Sequence, residues 1–178
     1  MLESEPNETR PIYLDYNATT PLDRRVLAAM LPYLEDAFGN PSSGHRLGRQ
    51  AARAVAAARE RAAALLGVSP SGIVFTSGGS EANNQALRGI VALQRQRLGG
   101  AFPHIVTTTI EHPAITEVCR HLAGSGVQTT YVRCDETGRV DPRAVAEALR
   151  PQTVLVSVMH ANNEVGTIQP VREIADLA

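Results

Sequence analysis

The chain contains no lysine: all 17 of its basic residues are arginines, set against 18 aspartates and glutamates. No side-chain amine is therefore available to condense with a carbonyl compound, and a guanidinium, protonated up to a pKa above about 12, cannot take its place. Tryptophan is absent as well, and aromatics are 4% of the residues. A net charge of -1 gives no electrostatic case for nucleic acid or a membrane surface, so neither is expected as a partner. The two cysteines, Cys119 and Cys134, are too few for a disulfide framework and form no CxxC pair, which favours a reducing compartment. No apolar run approaches the roughly 20 residues of a membrane span. The five histidines make no HExxH pattern, so no metal site is expected, and GxxxxGK[ST], GxGxxG and GxSxG are all missing. These absences point to a soluble, cytoplasmic protein without a metal, a nucleotide loop or a serine nucleophile.

What is present is enough for one ordinary domain, since 43% of 178 residues are hydrophobic. Residues 1–10, with Glu3, Glu5 and Glu8, read as a disordered leader with no signal-peptide character. Pro11 to Pro21 reads as an extended arm, and Leu22 to Phe38 as a short helix stopped by Gly39-Asn40-Pro41. The Ala/Arg-rich stretch Ser42 to Leu66 predicts a long, mainly surface helix capped by Gly67. Beyond it, β-branched runs alternate with amphipathic ones. Strands are expected at Ile73–Thr76, His104–Thr108, Gln128–Arg133 and Thr153–His160, with helices starting near Ser80, Pro113 and Pro142. The almost wholly apolar run Thr153 to Met159 suits a strand covered on both faces, hence an α/β fold with a mainly parallel sheet. Ligands of such sheets bind at the carboxyl ends of the strands. A helical pattern from Pro170 to Ala178 has no closing residue, so the domain is expected to be incomplete at its C-terminal end and marginal in solubility.

Three turns at that edge carry possible chemistry. Ser77-Gly78-Gly79-Ser80 leads into a helix, where free N–H groups, a hydroxyl and glycine backbone can cradle an anion; an ordinary capped turn is the alternative. Glu111-His112-Pro113 places an imidazole before a helix, either to stack on a flat ligand or simply to cap. Asn162-Asn163-Glu164-Val165-Gly166 offers amides for a phenolate or carboxylate, or is a plain turn. Cys119, on a face with Ile115, Val118 and Leu122, reads as core, and Cys134 precedes a polar turn.

Taken in order, Tyr13-Leu14-Asp15-Tyr16-Asn17-Ala18-Thr19-Thr20-Pro21, Phe38-Gly39-Asn40-Pro41-Ser42-Ser43, Phe75-Thr76-Ser77-Gly78-Gly79-Ser80-Glu81, Glu111-His112 and Asn162-Asn163-Glu164 resemble NifS-like cysteine desulfurases. Selenocysteine lyases are very similar. Both belong to the class V aminotransferases, pyridoxal phosphate enzymes of fold type I, and the resemblance runs from about Pro11 to Ala178. It implies the N-terminal part of the large domain, truncated at its C-terminal end. It further implies that Gly79 and Ser80 hold the cofactor phosphate, with Ser80 standing where the family usually has threonine. His112 would stack on the pyridine ring, and Asn162 would lie beside the ring oxygen and the substrate carboxylate. The implied reaction converts L-cysteine to L-alanine, with sulfur passing to a cysteine as a persulfide for iron-sulfur cluster assembly, in a homodimer; L-selenocysteine is the alternative substrate. The family's lysine, its aspartate on the pyridine nitrogen and its acceptor cysteine match no residue here. No catalytic residue is therefore expected in this chain, and the isolated polypeptide is expected to be inactive. A noncatalytic module, or half of a split enzyme, is the competing reading.

Overall fold

The computed structural model describes residues 11–178, so the expected leader at 1–10 lies outside the described residues. Two compact units divide at Val74 and Phe75.

In the first unit, Pro11 to Leu22 holds no regular element beyond one turn. Helix α1, Arg24–Glu35, starts where the Asp23 carboxylate accepts the Arg25 N–H at 2.7 Å, and none of its residues is buried. Helix α2 is Arg46–Leu66, shorter at its start than the expected Ser42–Leu66. The reason is local: Asn40 accepts the Ser42 N–H through its side chain and the Ser43 N–H through its carbonyl, closing a turn, and His45 Nδ1 then caps the helix. Gly48 seats that turn, because a β-carbon there would collide with the Ser43 carbonyl. At the other end Gly67 adopts the left-handed φ of 66° expected of a C-terminal cap. A short 3-10 turn, Pro70–Gly72, follows.

The second unit opens with α3, Gly79–Arg97, and continues as β1, His104–Thr108; α4, Pro113–Ala123; β2, Gln128–Val132; α5, Pro142–Glu147; β3, Thr153–Ser157; and α6, Val171–Leu177. The three strands are parallel in the order β2-β1-β3, with β1 buried along its whole length. Period-two alternation on β1 divides the interior. Ile105 joins Leu87 and Val91 of α3 and Ile115, Val118, Cys119 and Leu122 of α4 on one face. Val106 joins Val132, Val140, Val145 of α5 and Ile174 of α6 on the other. Cys119 is thus core, as its helical spacing indicates.

Three strand expectations change. Ile73–Thr76 is not a strand among the described residues: the backbone is extended at Ile73, but β character requires a ladder, and this stretch has none. β3 ends at Ser157 rather than His160, because the Met159 N–H is taken by the Glu111 carboxylate at 2.9 Å instead of by a neighbouring strand. β2 stops one residue before the expected Arg133.

Candidate functional site

The strand order makes one crevice special. From β1 the chain turns to α4, on the face of the first cluster; from β3 it turns to α6, on the face of the second. Adjacent parallel strands whose continuations leave toward opposite faces open a cleft between their carboxyl ends, and this is where open α/β sheets bind ligands. His112 lies four residues beyond β1 and Asn162 five beyond β3, so the topology brings both to that cleft.

The loops at this edge are laced together. Glu111 Oε1 accepts the Thr108 hydroxyl at 2.8 Å and the Met159 N–H at 2.9 Å, joining the turn after β1 to the chain leaving β3. Asn162 Nδ2 donates to the Ile110 carbonyl at 2.9 Å, a second tie between the same loops. The third loop, after β2, is tied in by Gln169, whose side chain accepts the Val140 N–H at 2.9 Å and donates to the Gly138 carbonyl at 2.6 Å. A cavity of about 640 Å³ opens among these loops, lined by Ile110, Glu111, Thr137, Asn162 and Val165 together with the carboxylates of Asp135, Glu136 and Glu164.

His112 is exposed and caps α4, its Nδ1 accepting the Ala114 N–H at 3.0 Å. An accepting Nδ1 leaves Nε2 to carry the proton of the neutral ring and holds the ring's direction. Asn162 is buried, and its amide is fully engaged: Oδ1 accepts the N–H groups of Glu164 and Val165, while Nδ2 reaches Ile110 and, at 3.4 Å, the Met159 sulfur. Any direct contact from Asn162 to a ligand has to replace one of these bonds.

Gly79 and Ser80 form the first turn of α3 behind Gly78, which supplies no side-chain cap. A β-carbon on Gly78 or Gly79 would meet nothing within 4 Å, so the donors of this turn stand beside open space. Glu81 folds back to accept the N–H and hydroxyl of Ser77, both at 2.6 Å, and these bonds hold its carboxyl below the ordinary range. Helix direction places the turn at the same end of the unit. The C-terminal end of α3 is tied by Arg95 to the Ser125 carbonyl, just before β2, at the opposite edge of the sheet. A helix of 19 residues spans about 28 Å against about 17 Å for a five-residue strand, so α3 starts at the carboxyl end of the strands. Hydrogen bonds tie the Asn162 loop to Ile110 and Glu111, the two residues before His112, while the His112 ring bonds the Ala114 N–H of its own helix; Gly79 and Ser80 share the edge without belonging to that network.

Glu111 is the residue whose importance the sequence understated. It is buried, and burial pushes its carboxyl above the ordinary range against the pull of its two hydrogen bonds. The available signal was a carboxylate three residues behind the β-branched run Ile105 to Thr108. Burial likewise pushes both thiols up, so Cys119 and Cys134 carry no thiolate activation. Among the described residues no cluster of His, Cys, Asp and Glu could hold a metal ion, and no helix is long and apolar enough to cross a membrane.

The aminotransferase class-V family profile matches residues 12–178. A putative cysteine desulfurase IscS 1 of Bacillus subtilis is 50% identical over 166 residues, covering 93% of this chain and 43% of the relative. The cysteine desulfurase IscS of Methanosarcina thermophila is 43% identical over 176 residues, covering 99% of this chain and 43% of its own length. Among solved structures, a NifS-like protein superposes with a TM-score of 0.87 at 40% identity over 93% of this chain and 44% of that one. SspA in complex with cysteine gives 0.86 at 39% identity, with 93% and 47% covered. The chain spans less than half the length of these relatives. The α/β arrangement with a parallel sheet is shared with these two solved structures. Matched along nearly its whole length, the chain belongs to the class-V aminotransferase family, and within it is similar to the N-terminal part of cysteine desulfurases.

Proposed function

We propose that this chain supplies the cofactor-holding half of a pyridoxal phosphate-dependent cysteine desulfurase, which converts L-cysteine to L-alanine and passes the sulfur onward as a persulfide. What supports the reading is the Asn162–Ile110 hydrogen bond, which ties the Asn162 loop to the turn leading into His112 at the β1/β3 crevice, with the open, uncapped first turn of α3 at the same edge. The donors fit the group. N–H groups at a helix start and the Ser80 hydroxyl suit a phosphate, and glycine leaves the approach clear. A directed imidazole suits the flank of a flat ring, and the Asn162 loop suits a ring oxygen or an amino-acid carboxylate, by exchange of one of its bonds.

When bound, pyridoxal phosphate supplies an electron sink for chemistry on an amino acid. This chain's residues bind and orient; they do not provide the amine that tethers the cofactor, because there is no lysine among the 178 residues. That amine, the aspartate for the pyridine nitrogen and the sulfur-accepting cysteine come from polypeptide outside this sequence, whether continuous with it or supplied as a second chain. The lack of lysine equally supports a noncatalytic module as the second reading. L-Cysteine is preferred over L-selenocysteine as substrate because the similar proteins carry cysteine desulfurase names. Iron-sulfur cluster assembly in the cytoplasm, by a homodimer, completes the proposal.

The test is a titration of the purified chain with pyridoxal phosphate and with unphosphorylated pyridoxal, followed by an assay for alanine. The phosphate form is expected to bind the more tightly, to dialyse away and to remain unattached after borohydride reduction. Ser80→Ala is expected to weaken it about five- to tenfold, the scale of one hydrogen bond. No alanine should form from L-cysteine. Equal affinity for the two compounds would remove the phosphate assignment, and alanine release by the isolated chain would overturn the division of labour.

A further inference from the structure

We infer that Glu111 is the positioning residue of this edge, fixing where the Asn162 loop stands relative to the turn that presents His112. The loop after β3 is internally rigid. Asn162 and Thr167 are bonded backbone to backbone at 3.0 Å, Gly166 donates to the Asn162 carbonyl at 3.0 Å, and Gln169 donates to the His160 carbonyl at 2.9 Å. A rigid loop moves as a body, so its placement depends on its few external ties. On the β1 side there are two, Met159 N–H to Glu111 Oε1 and Asn162 Nδ2 to the Ile110 carbonyl, and they fall on adjacent residues of the turn leading into His112.

Of the two, the Glu111 tie is the stronger in kind, because a carboxylate accepts a backbone N–H more strongly than a neutral carbonyl accepts an amide. The Thr108 hydroxyl, donating to the same oxygen, fixes the carboxylate's direction at the end of the central strand. Position 111 therefore converts the register of β1 into the position of the chain leaving β3. A carboxylate is an unfavourable choice for packing alone. It lies 9% exposed, its ionisation is penalised by burial, and it lines a cavity already edged by Asp135, Glu136 and Glu164. Its acceptor strength is what the position uses.

Residue-resolved amide exchange on the chain and three variants tests this without any ligand. In Glu111→Met, which keeps the volume and removes the acceptor, the Met159 amide is expected to exchange about ten- to a hundredfold faster, with His160 to Gly166 following and β1 amides unchanged. Glu111→Gln retains a carbonyl oxygen and is expected to restore Met159 to within about threefold of the parent. Thr108→Val leaves the carboxylate but not its guide, and a several-fold acceleration at Met159 alone is expected; it decides the matter if Glu111→Met does not fold. Unchanged Met159 exchange in Glu111→Met and Thr108→Val, or equal rates in Glu111→Met and Glu111→Gln, would overturn the assignment. The consequence for binding rests on the reading of this edge as a pyridoxal phosphate site: Glu111→Met should weaken the cofactor and Glu111→Gln should not. A parent chain that binds no cofactor would refute that reading, while the exchange rates still decide the role of Glu111.

Discussion

Helices α1 and α4 are close counterparts as sequences. One runs 12 residues with Val26, Leu27, Met30, Leu31 and Leu34 at helical spacing; the other runs 11 with Ile115, Val118, Cys119 and Leu122. Both are capped at the start by a side chain, Asp23 and His112 respectively. Yet α4 buries all four of its apolar residues, whereas each of the five on α1 is more than 40% exposed. The difference is not in the helices. In its own unit α4 has a sheet and α3 to pack against, while α1 buries nothing in the unit it belongs to. An apolar stripe records that a helix has a partner; it does not name the partner or place it in the same stretch of chain.

That contrast can be broken by mutation. The largest effect is expected for Ile105→Ala, which empties the centre of one cluster and should cost about 2–5 kcal/mol in urea unfolding, while Leu27→Ala on α1 should stay within about 0.5 kcal/mol. Comparable losses from the two would show that α1 is as well packed as the sheet. Next comes Gln169→Leu, which strips the buried Val140 N–H of its acceptor and should cost about 1–3 kcal/mol by the same measurement. In the first unit Gly67→Ala forces a β-carbon into the left-handed cap and should lower helicity by circular dichroism, at a cost of about 1–2 kcal/mol to the end of α2.

The smallest effects are expected from pH, and they too separate the regions, because among the described residues the buried titrating groups belong to the second unit. His104 bridges Thr153 and Thr130 across all three strands, and burial, aided by the Arg150 charge, lowers its pKa below 6.5. Its contribution is therefore complete above about pH 6.5 and is lost as the pH falls from there toward the lowered folded-state value, because the unfolded chain takes up the proton first. Glu111 has the opposite perturbation. With a raised folded-state pKa, it favours the folded state most when protonated, and that contribution is lost as the pH rises from 4.5 through the raised value. Unfolding measured from pH 4 to 8 in the parent, His104→Gln and Glu111→Gln should show each slope vanish in its own variant.

Much of the second unit was legible because α/β sequence has a strong local signature. The apolar strands, proline-started helices and small-residue turns each follow from short-range chemistry, and the positions of β1, α4 and α5 follow from them directly. Ile73–Thr76 misled for the converse reason: its composition suits a strand, but no ladder engages it. The start of α2 moved because a side-chain amide at Asn40 competed with the helix for the next N–H groups. At the site, Gly79, Ser80, His112 and Asn162 stood out as turn residues after strands. The cap by His112 is a local bond to Ala114 and was one of the two readings of its turn, but that Asn162 is engaged by its own loop and by the Ile110 carbonyl, and that Glu111 ties the loops together, depend on which groups lie nearby in space.

The sequence by itself determined the residue types at the edge, the periods of the helices and strands, and, through the missing lysine, the chemistry that no side chain here can perform. Those are properties of composition and of neighbours along the chain. Only the tertiary structure decided the order β2-β1-β3, and with it the crevice between β1 and β3, because strand order is set by contacts between segments some 50 residues apart, such as His104 with Thr153. The same long-range packing took Glu111 out of water and gave it the Met159 N–H, turning a turn carboxylate into the hinge pin of the site.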